Sequence, residues 1–134
     1  MAYLRDSGDA PNRVHYSESA DQGQSWIPSV KTGIPNTASV EILVLQNGLW
    51  IFVGNDLNGT RTRLSLYVSD DEGITWKWKH LLEDQEKGGY SYPALIQSAD
   101  GRIHITYSYH PESHKKTIKH VQLKPENLVR SVDN

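Results

Sequence analysis

The chain has 134 residues, of which 37% are apolar, and this is enough for a modest core but not for a closed ring of many sheets. Its 14 basic and 16 acidic residues form no run of like charge. We therefore do not expect the chain to bind nucleic acid or acidic membranes, which need a patch of positive charge. The lack of cysteine excludes disulfides and thiolate chemistry, and it leaves the cellular compartment open.

Apolar and polar residues alternate along most of the chain, and this period of two predicts strands rather than helices. Val40 to Leu45 and Leu49 to Val53 are nearly continuous apolar runs joined by a tight Gln-Asn-Gly turn. They predict two inner strands that are buried on both faces. Leu64 to Val68 and Ile103 to Tyr109 alternate strictly and predict two further strands. Only Pro125 to Arg130 has a brief helical pattern.

An internal repeat is the most informative feature of the chain. Ser19 to Trp26 recurs as Ser69 to Trp76, with each matching position fifty residues further on. Both segments follow the pattern Ser-x-Asp-x-Gly-x-Ser/Thr-Trp, and a period of this length fits one four-stranded propeller blade. The repeat therefore predicts equivalent corners of successive sheets.

The residue types of the repeat suit a strained hairpin. The aspartate carboxylate can accept backbone N–H groups within the turn, glycine supplies a positive φ, and the hydroxyls link the flanks. We expect these segments to be structural and to take no part in chemistry.

With two such repeats in register, the chain resembles the C-terminal half of sialidases (neuraminidases) and other proteins with Asp-box, or bacterial neuraminidase, repeats. The resemblance implies an all-β fold, a partial sialidase-like propeller of about two and a half four-stranded antiparallel blades. It implies a single partial propeller domain over residues 1–134, with blades at about 1–33, 34–88 and 89–124 and a tail at 125–134.

The resemblance also implies three site residues. Arg5 and Arg61 match arginines that bind the substrate carboxylate, and spacing favours Arg61 over Arg63. Tyr92 lies eight residues before the Asp-Gly turn and matches the catalytic tyrosine, with Tyr90 as the second choice. The family's acid/base aspartate, its activating glutamate and its first arginine correspond to segments before Met1.

These residue types suit an acidic sugar. The anomeric carbon of a sialic acid carries a carboxylate, so a neutral tyrosine avoids the repulsion that a carboxylate nucleophile would meet. A planar guanidinium can bind the sugar carboxylate through two parallel charge-assisted bonds. The expected partner is therefore a sialoside or a related acidic sugar.

We expect no metal and no cofactor. His110 and His114 have a metal-like spacing without a third ligand, and His104 is expected to share a strand face with Thr106 rather than to bind anything. The first residues form no basic-then-apolar leader and no window could span a bilayer, so we expect a soluble chain without an export signal, of unknown location.

Two alternatives to an enzyme remain open. One is a non-catalytic carbohydrate-binding or structural Asp-box module, and the other is a truncated product without activity. Because blades are stabilised by their neighbours, we also expect either self-association or a missing N-terminal half that completes the propeller.

Overall fold

A computed structural model describes residues 1–130 of the chain, and nearly all of its regular structure is antiparallel sheet. One helical turn, α1 (Pro125–Leu128), follows the last strand. The ten strands, in chain order, are β1 (Ala2–Leu4), β2 (Arg13–Ser17), β3 (Val30–Pro35), β4 (Glu41–Val44), β5 (Trp50–Gly54), β6 (Arg63–Ser69), β7 (Trp78–Asp84), β8 (Gly89–Gln97), β9 (Ile103–Glu112) and β10 (Lys115–Leu123).

The strands form three sheets that follow one another along the chain. The orders are β1-β2-β3, β4-β5-β6-β7 and β10-β9-β8, so each sheet is a simple meander of three, four and three strands. The predicted all-β class is confirmed. The sheets of three, four and three strands also agree with the expectation of about two and a half four-stranded blades. The exact blade boundaries stay a prediction.

Two apolar cores hold the sheets together. The larger one lies between the second and third sheets, and its fully buried members include Ile51, Leu66, Ile105 and Tyr107. The smaller one lies between the first and second sheets, around the buried ring of Phe52. Each sheet therefore stabilises the next by burying one of its apolar faces.

The two predicted inner strands differ in their surroundings. Strand β5 is buried on both faces, with Ile51, Phe52 and Val53 inaccessible to solvent, as its apolar run predicts. Strand β4 forms the edge of its sheet, and Val44 is 48% exposed. The expectation of burial on both faces is wrong for β4 because an apolar run cannot distinguish an edge strand from a central one.

The two Asp-box turns have the same geometry. Asp21 accepts the backbone N–H of Ser25 at 2.8 Å, and Asp71 accepts that of Thr75 at 2.8 Å. The glycine of each box has a positive φ, 91° in the first turn and 81° in the second. The hydrogen bonding predicted from the repeat is thus confirmed in both copies.

The tryptophans that end the two boxes pack differently. Trp76 contacts an aromatic cluster with Tyr3, Phe52 and Tyr67, at ring-centroid distances of 6.0 to 6.4 Å. Trp26 is 48% exposed. The tryptophan of the second box therefore packs against the smaller core, whereas the tryptophan of the first box is largely exposed.

This difference predicts unequal effects on stability. Trp76→Ala should lower the free energy of unfolding by roughly 3 kcal/mol, because it removes a large ring from an aromatic cluster. The matched variant Trp26→Ala should cost less than about 1 kcal/mol. Urea denaturation followed by circular dichroism measures both values, and equal losses would contradict the packing described.

No helix within residues 1–130 has the length and apolar character needed to cross a membrane.

Candidate active site

The three side chains singled out from the sequence lie at one end of the sheets, and we call them the arginine–tyrosine site. Arg5 directly follows β1, Arg61 lies in the connection between β5 and β6, and Tyr92 lies near the start of β8. The Arg61 guanidinium carbon is 5.3 Å from the centroid of the Tyr92 ring. Residues far apart in the chain are therefore neighbours in the fold.

The two arginines change the acidity of the tyrosine. The pKa of the Tyr92 hydroxyl is lowered from its ordinary value, first by hydrogen bonding from Arg61 and then by the positive charge of that guanidinium. Arg5 adds the same two effects more weakly. Both groups stabilise the phenolate, so a larger fraction of this hydroxyl is ionised at a given pH than in an isolated tyrosine.

The backbone of β8 presents Tyr92 to solvent. Tyr92 has a φ of 57°, in the left-handed region, and it lies where the β8–β9 register shifts between Ser91 and Ala94. This bulge redirects the side chain, which is 51% exposed. Positive φ in a non-glycine residue is strained, and such strain clusters at functional sites.

Tyr90 has a different role. Its side chain is only 2% exposed, its hydroxyl donates to the carbonyl of Lys87, and its ring packs on Tyr109 at a centroid distance of 5.2 Å. Of the two tyrosines, only Tyr92 reaches the surface near the arginines. The assignment of Tyr92 as the first choice and Tyr90 as the second choice for the catalytic tyrosine stays a prediction.

A buried asparagine links the loop that carries Arg61 to the strand that carries Tyr92. Asn55 is 1% exposed, and its amide donates to the carbonyls of Arg63 at 2.8 Å and Tyr90 at 2.7 Å. The Tyr90 N–H in turn donates to the Arg61 carbonyl at 2.9 Å. These bonds fix the spacing between the segments that carry Arg61 and Tyr92.

Arg63, the alternative to Arg61, is committed to a structural ion pair. Its Nε donates to the Asp56 carboxylate at 2.8 Å, and Lys79 Nζ lies 2.7 Å from the same carboxylate. Tyr67 and Ser65 also donate to Asp56. Burial alone raises the pKa of this carboxyl, but the four donors outweigh it and lower the pKa to about 2.

The loop after Arg5 is held by a second carboxylate, that of Asp6. It accepts the backbone N–H groups of Gly8 at 2.9 Å and Arg13 at 3.0 Å, and Lys31 lies 3.3 Å away. The N–H bond from Arg13 is the strongest of the effects that hold the pKa of Asp6 well below its usual range. A cavity of about 300 Å³ lies beside Arg5 and Asp6.

Other features of the described residues lie away from this site. A larger cavity, of about 660 Å³, lies between the first sheet and the second Asp-box and is lined by the rings of Tyr3, Tyr16, Tyr67 and Trp76. Within residues 1–130, no group of three or more His, Asp or Glu side chains is arranged to hold a metal ion.

The lowered pKa of Tyr92 gives a direct prediction. Arg61→Ala should raise the pKa of Tyr92 towards the ordinary value of about 10, because it removes the strongest stabiliser of the phenolate. A pH titration of the tyrosinate absorbance, with Tyr92→Phe as the subtracted reference, measures the change. Arg102→Ala, in the turn between β8 and β9, is the control and should leave the pKa of Tyr92 as it is in the parent chain. If Arg61→Ala also left this pKa as it is in the parent chain, the described contact would be contradicted.

Comparisons with known proteins agree with this architecture. A family model described as a BNR repeat-like domain matches residues 1–105. A leech intramolecular trans-sialidase, complexed with 2,7-anhydro-Neu5Ac prepared by soaking with 3'-sialyllactose, has a similar structure with a TM-score of 0.77 and 20% identity over 94% of the chain. The intramolecular trans-sialidase from Ruminococcus gnavus, in complex with oseltamivir carboxylate, gives a TM-score of 0.76 and 20% identity over 96% of the chain.

The chain spans only a part of these two similar structures, 22% of the leech protein's chain and 31% of the Ruminococcus gnavus protein's chain. At this identity the likeness establishes the fold alone. No curated protein matches the chain.

Proposed function

The chain belongs to the BNR repeat-like domain family, and on that premise we propose that it is part of a sialidase-like glycoside hydrolase acting on terminal sialic acid or a related acidic sugar. Tyr92 is the proposed nucleophile, and Arg5 and Arg61 are the proposed carboxylate clamp. The observation that carries the proposal is that the Arg61 guanidinium lies 5.3 Å from the centroid of the exposed Tyr92 ring, while the positive charges of Arg61 and, more weakly, Arg5 lower the pKa of its hydroxyl. The two structurally similar trans-sialidases support the substrate class.

The clamp follows from the chemistry of the sugar. Two guanidinium groups offer planar pairs of N–H donors that fit a carboxylate, and they fix the orientation of the sugar as well as neutralising its charge. The same positive charges stabilise the phenolate of Tyr92. A substrate carboxylate placed between the arginines would bring its own anomeric carbon close to the tyrosine.

The phenolate oxygen of Tyr92 would attack that carbon as the glycosidic C–O bond breaks, so that the aglycone leaves and takes up a proton while a covalent tyrosyl–sugar intermediate forms. Water would then attack the same carbon, the bond to Tyr92 would break, and the free sugar and the tyrosine hydroxyl would be restored. An unperturbed tyrosine has a pKa of about 10, so the lowered pKa of Tyr92 favours attack at neutral pH, and a base within hydrogen-bonding reach would speed it. The two groups that lower this pKa most are arginines, which cannot act as the base. We therefore expect slow turnover by this chain alone, with any base supplied by a group other than these arginines.

The three sheets are proposed to be successive blades, at about 1–33, 34–88 and 89–124, with a tail at 125–134. Support comes from their order along the chain and from the burial of each sheet on the next. Self-association, or a further segment that completes the ring, is proposed as the way in which the outer sheet faces are covered.

A fluorogenic sialoside tests the function. We expect the chain to release the fluorophore from the sialoside but not from a neutral galactoside with the same leaving group, and Tyr92→Phe should abolish the release. Turnover that survives in Tyr92→Phe, or equal turnover of the neutral glycoside, would contradict the proposal.

The second candidate function is a non-catalytic carbohydrate-binding module. It is favoured by the two arginines that act most strongly on Tyr92, because their positive charges suit binding of an acidic sugar without catalysis. Saturable binding of sialic acid without any turnover, unchanged in Tyr92→Phe and lost in the arginine variants, would favour this function over the enzyme.

A further inference from the structure

The connection between β5 and β6 contains an Asn-Gly pair, Asn58 and Gly59, shortly before Arg61. Both residues are exposed, and Gly59 has a φ of 71°, in the left-handed region. The pair lies at the end of the sheets that carries the arginine–tyrosine site, and Gly59 lines the cavity beside Arg5 and Asp6. It therefore lies in a solvent-exposed loop and not on the face of a sheet.

The connection is held on both sides of the pair but not at the pair itself. The Thr37 hydroxyl donates to the carbonyl of Leu57, just before the pair. The Thr60 hydroxyl, just after it, accepts a backbone N–H at 3.3 Å. Among residues 1–130, neither the Asn58 side chain nor the Gly59 N–H takes part in a hydrogen bond of the fold. The two groups are therefore open to solvent and to each other.

An exposed Asn-Gly pair carries its own chemistry. The backbone nitrogen of Gly59 attacks the side-chain amide carbon of Asn58, the C–N bond of the amide breaks, and ammonia leaves as a succinimide ring closes. Water then opens the ring at either carbonyl and leaves aspartate or isoaspartate. The balance is one water consumed and one ammonia released, so the reaction needs no oxidant and no cofactor. Glycine favours it because no Cβ hinders the approach of the nitrogen.

A second Asn-Gly pair in the chain provides an internal comparison. Asn47 and Gly48 are also exposed, in the turn between β4 and β5. There, however, Asn47 Oδ1 accepts the backbone N–H of Leu49 at 3.1 Å, and the Gly48 N–H donates to the carbonyl of Leu45 at 2.9 Å. The same attack at this pair requires both hydrogen bonds to open first. The two pairs are therefore equal in sequence and exposure but differ in hydrogen bonding.

We propose that Asn58 is a site of spontaneous deamidation and that the product places a negative charge in the loop that carries Arg61. An aspartate has an ordinary pKa of about 3.9, so the new carboxylate is ionised at neutral pH. It competes with an acidic ligand for the positive charges of Arg5 and Arg61. The modified chain therefore binds an acidic sugar less tightly. This consequence rests on the proposed function, whereas the deamidation itself does not.

Peptide mapping by mass spectrometry, after incubation of the full chain in mildly alkaline buffer, tests the modification. We expect the mass increase of an amide-to-carboxylate change at Asn58, at a rate roughly tenfold higher than at Asn47, where two hydrogen bonds must open. The variant Asn58→Gln keeps a neutral amide but disfavours ring closure, so it should stay unmodified at this position. A rate at Asn58 no higher than that at Asn47 would overturn the proposal.

The same mapping in urea separates the effect of the fold from that of the local sequence. Unfolding removes the hydrogen bonds that hold Asn47 and Gly48, so the two Asn-Gly pairs should then react at similar rates. If Asn58 kept its advantage over Asn47 in the unfolded chain, the hydrogen bonding of the fold would not be the cause, and the argument would fail.

The variant Asn58→Asp measures the effect of the new charge. Its affinity for sialic acid should be roughly two- to fivefold lower than that of the parent chain, as expected for one exposed charge. The matched control Asn47→Asp adds the same charge at the opposite end of β5 and should bind like the parent chain. Equal affinities of Asn58→Asp and the parent chain would contradict the charge effect. A parent chain that bound no sialic acid would contradict the proposed function instead, and peptide mapping would still decide whether Asn58 is deamidated.

Discussion

Arg61→Ala should weaken the binding of sialic acid to the chain by roughly ten- to a hundredfold, since a charge-assisted hydrogen bond contributes about 1.5–3 kcal/mol. The Arg61 guanidinium carbon lies 5.3 Å from the centroid of the ring of Tyr92, the proposed nucleophile. Its loss removes a bidentate partner of the sugar carboxylate and leaves Arg5 alone. Chemical-shift titration of the chain with sialic acid measures the change in dissociation constant.

Matched controls separate the clamp from a general loss of charge. Arg61→Lys keeps the charge but loses the planar pair of donors, so its binding should fall between that of the parent chain and that of Arg61→Ala. Arg102→Ala removes an arginine from the β8–β9 turn and should have no effect. The methyl ester of sialic acid should bind the parent chain weakly, and its affinity should not change in Arg61→Ala. If Arg61→Ala lowered the affinities for the ester and for the free acid equally, a carboxylate clamp would be contradicted.

Asp56→Ala should lower the free energy of unfolding by about 3 kcal/mol, the lower end of the range for breaking a buried ion pair. Asp56 is 4% exposed and accepts hydrogen bonds from Arg63, Ser65 and Tyr67, with Lys79 at 2.7 Å. The variant leaves two partly buried cations without their anion. Urea denaturation measures the effect.

The control for this prediction is Asp70→Ala. Asp70 is paired with Lys77 at 3.6 Å, but its side chain is 44% exposed, and exposed pairs contribute about 0–1 kcal/mol. A loss of stability in Asp56→Ala no larger than that in Asp70→Ala would show that the Asp56 network does not support the fold.

The Asp56 carboxylate also makes the free energy of unfolding depend on pH under acid conditions. Its pKa is about 2 in the folded chain and about 3.9 when unfolded, so its contribution is fully present above about pH 4 and is lost as the pH falls towards 2. The parent chain should therefore lose stability over this window, and the loss should be smaller in Asp56→Ala.

Much of the fold could be predicted because the Asp-box segment occurs twice in the sequence. The matching turns at Ser19 to Trp26 and Ser69 to Trp76 fix the repeat length, and the period of two between them gives the strands. The edge position of β4 could not be predicted, since the same apolar run serves a central or an edge strand. The unequal burial of Trp26 and Trp76 depends on neighbouring sheets, which local patterns do not encode.

The site was only partly predictable. Spacing within the resemblance selects Arg5, Arg61 and Tyr92, and the structure brings these three together, whereas their chemical roles stay predictions. The supporting residues Asn55 and Asp56 were missed, because polar residues after a buried strand have the pattern of an ordinary loop. Their partners, such as the Tyr90 carbonyl, are set by contacts between distant segments of the chain.

The bulge at Tyr92 was also beyond the sequence pattern. The alternation of β8 alone places Tyr90 and Tyr92 on the same face, yet the positive φ at Tyr92 exposes its ring while Tyr90 stays buried. One backbone dihedral angle therefore separates a core tyrosine from a surface tyrosine beside two arginines.

A crystal structure of the chain soaked with sialic acid tests the arginine–tyrosine site most directly. The expected result is a sugar carboxylate at about 2.7–2.9 Å from guanidinium nitrogens of both Arg5 and Arg61, with the anomeric carbon facing the Tyr92 hydroxyl. Sugar bound only elsewhere, such as in the aromatic-lined cavity between the first sheet and the second Asp-box, would contradict the account.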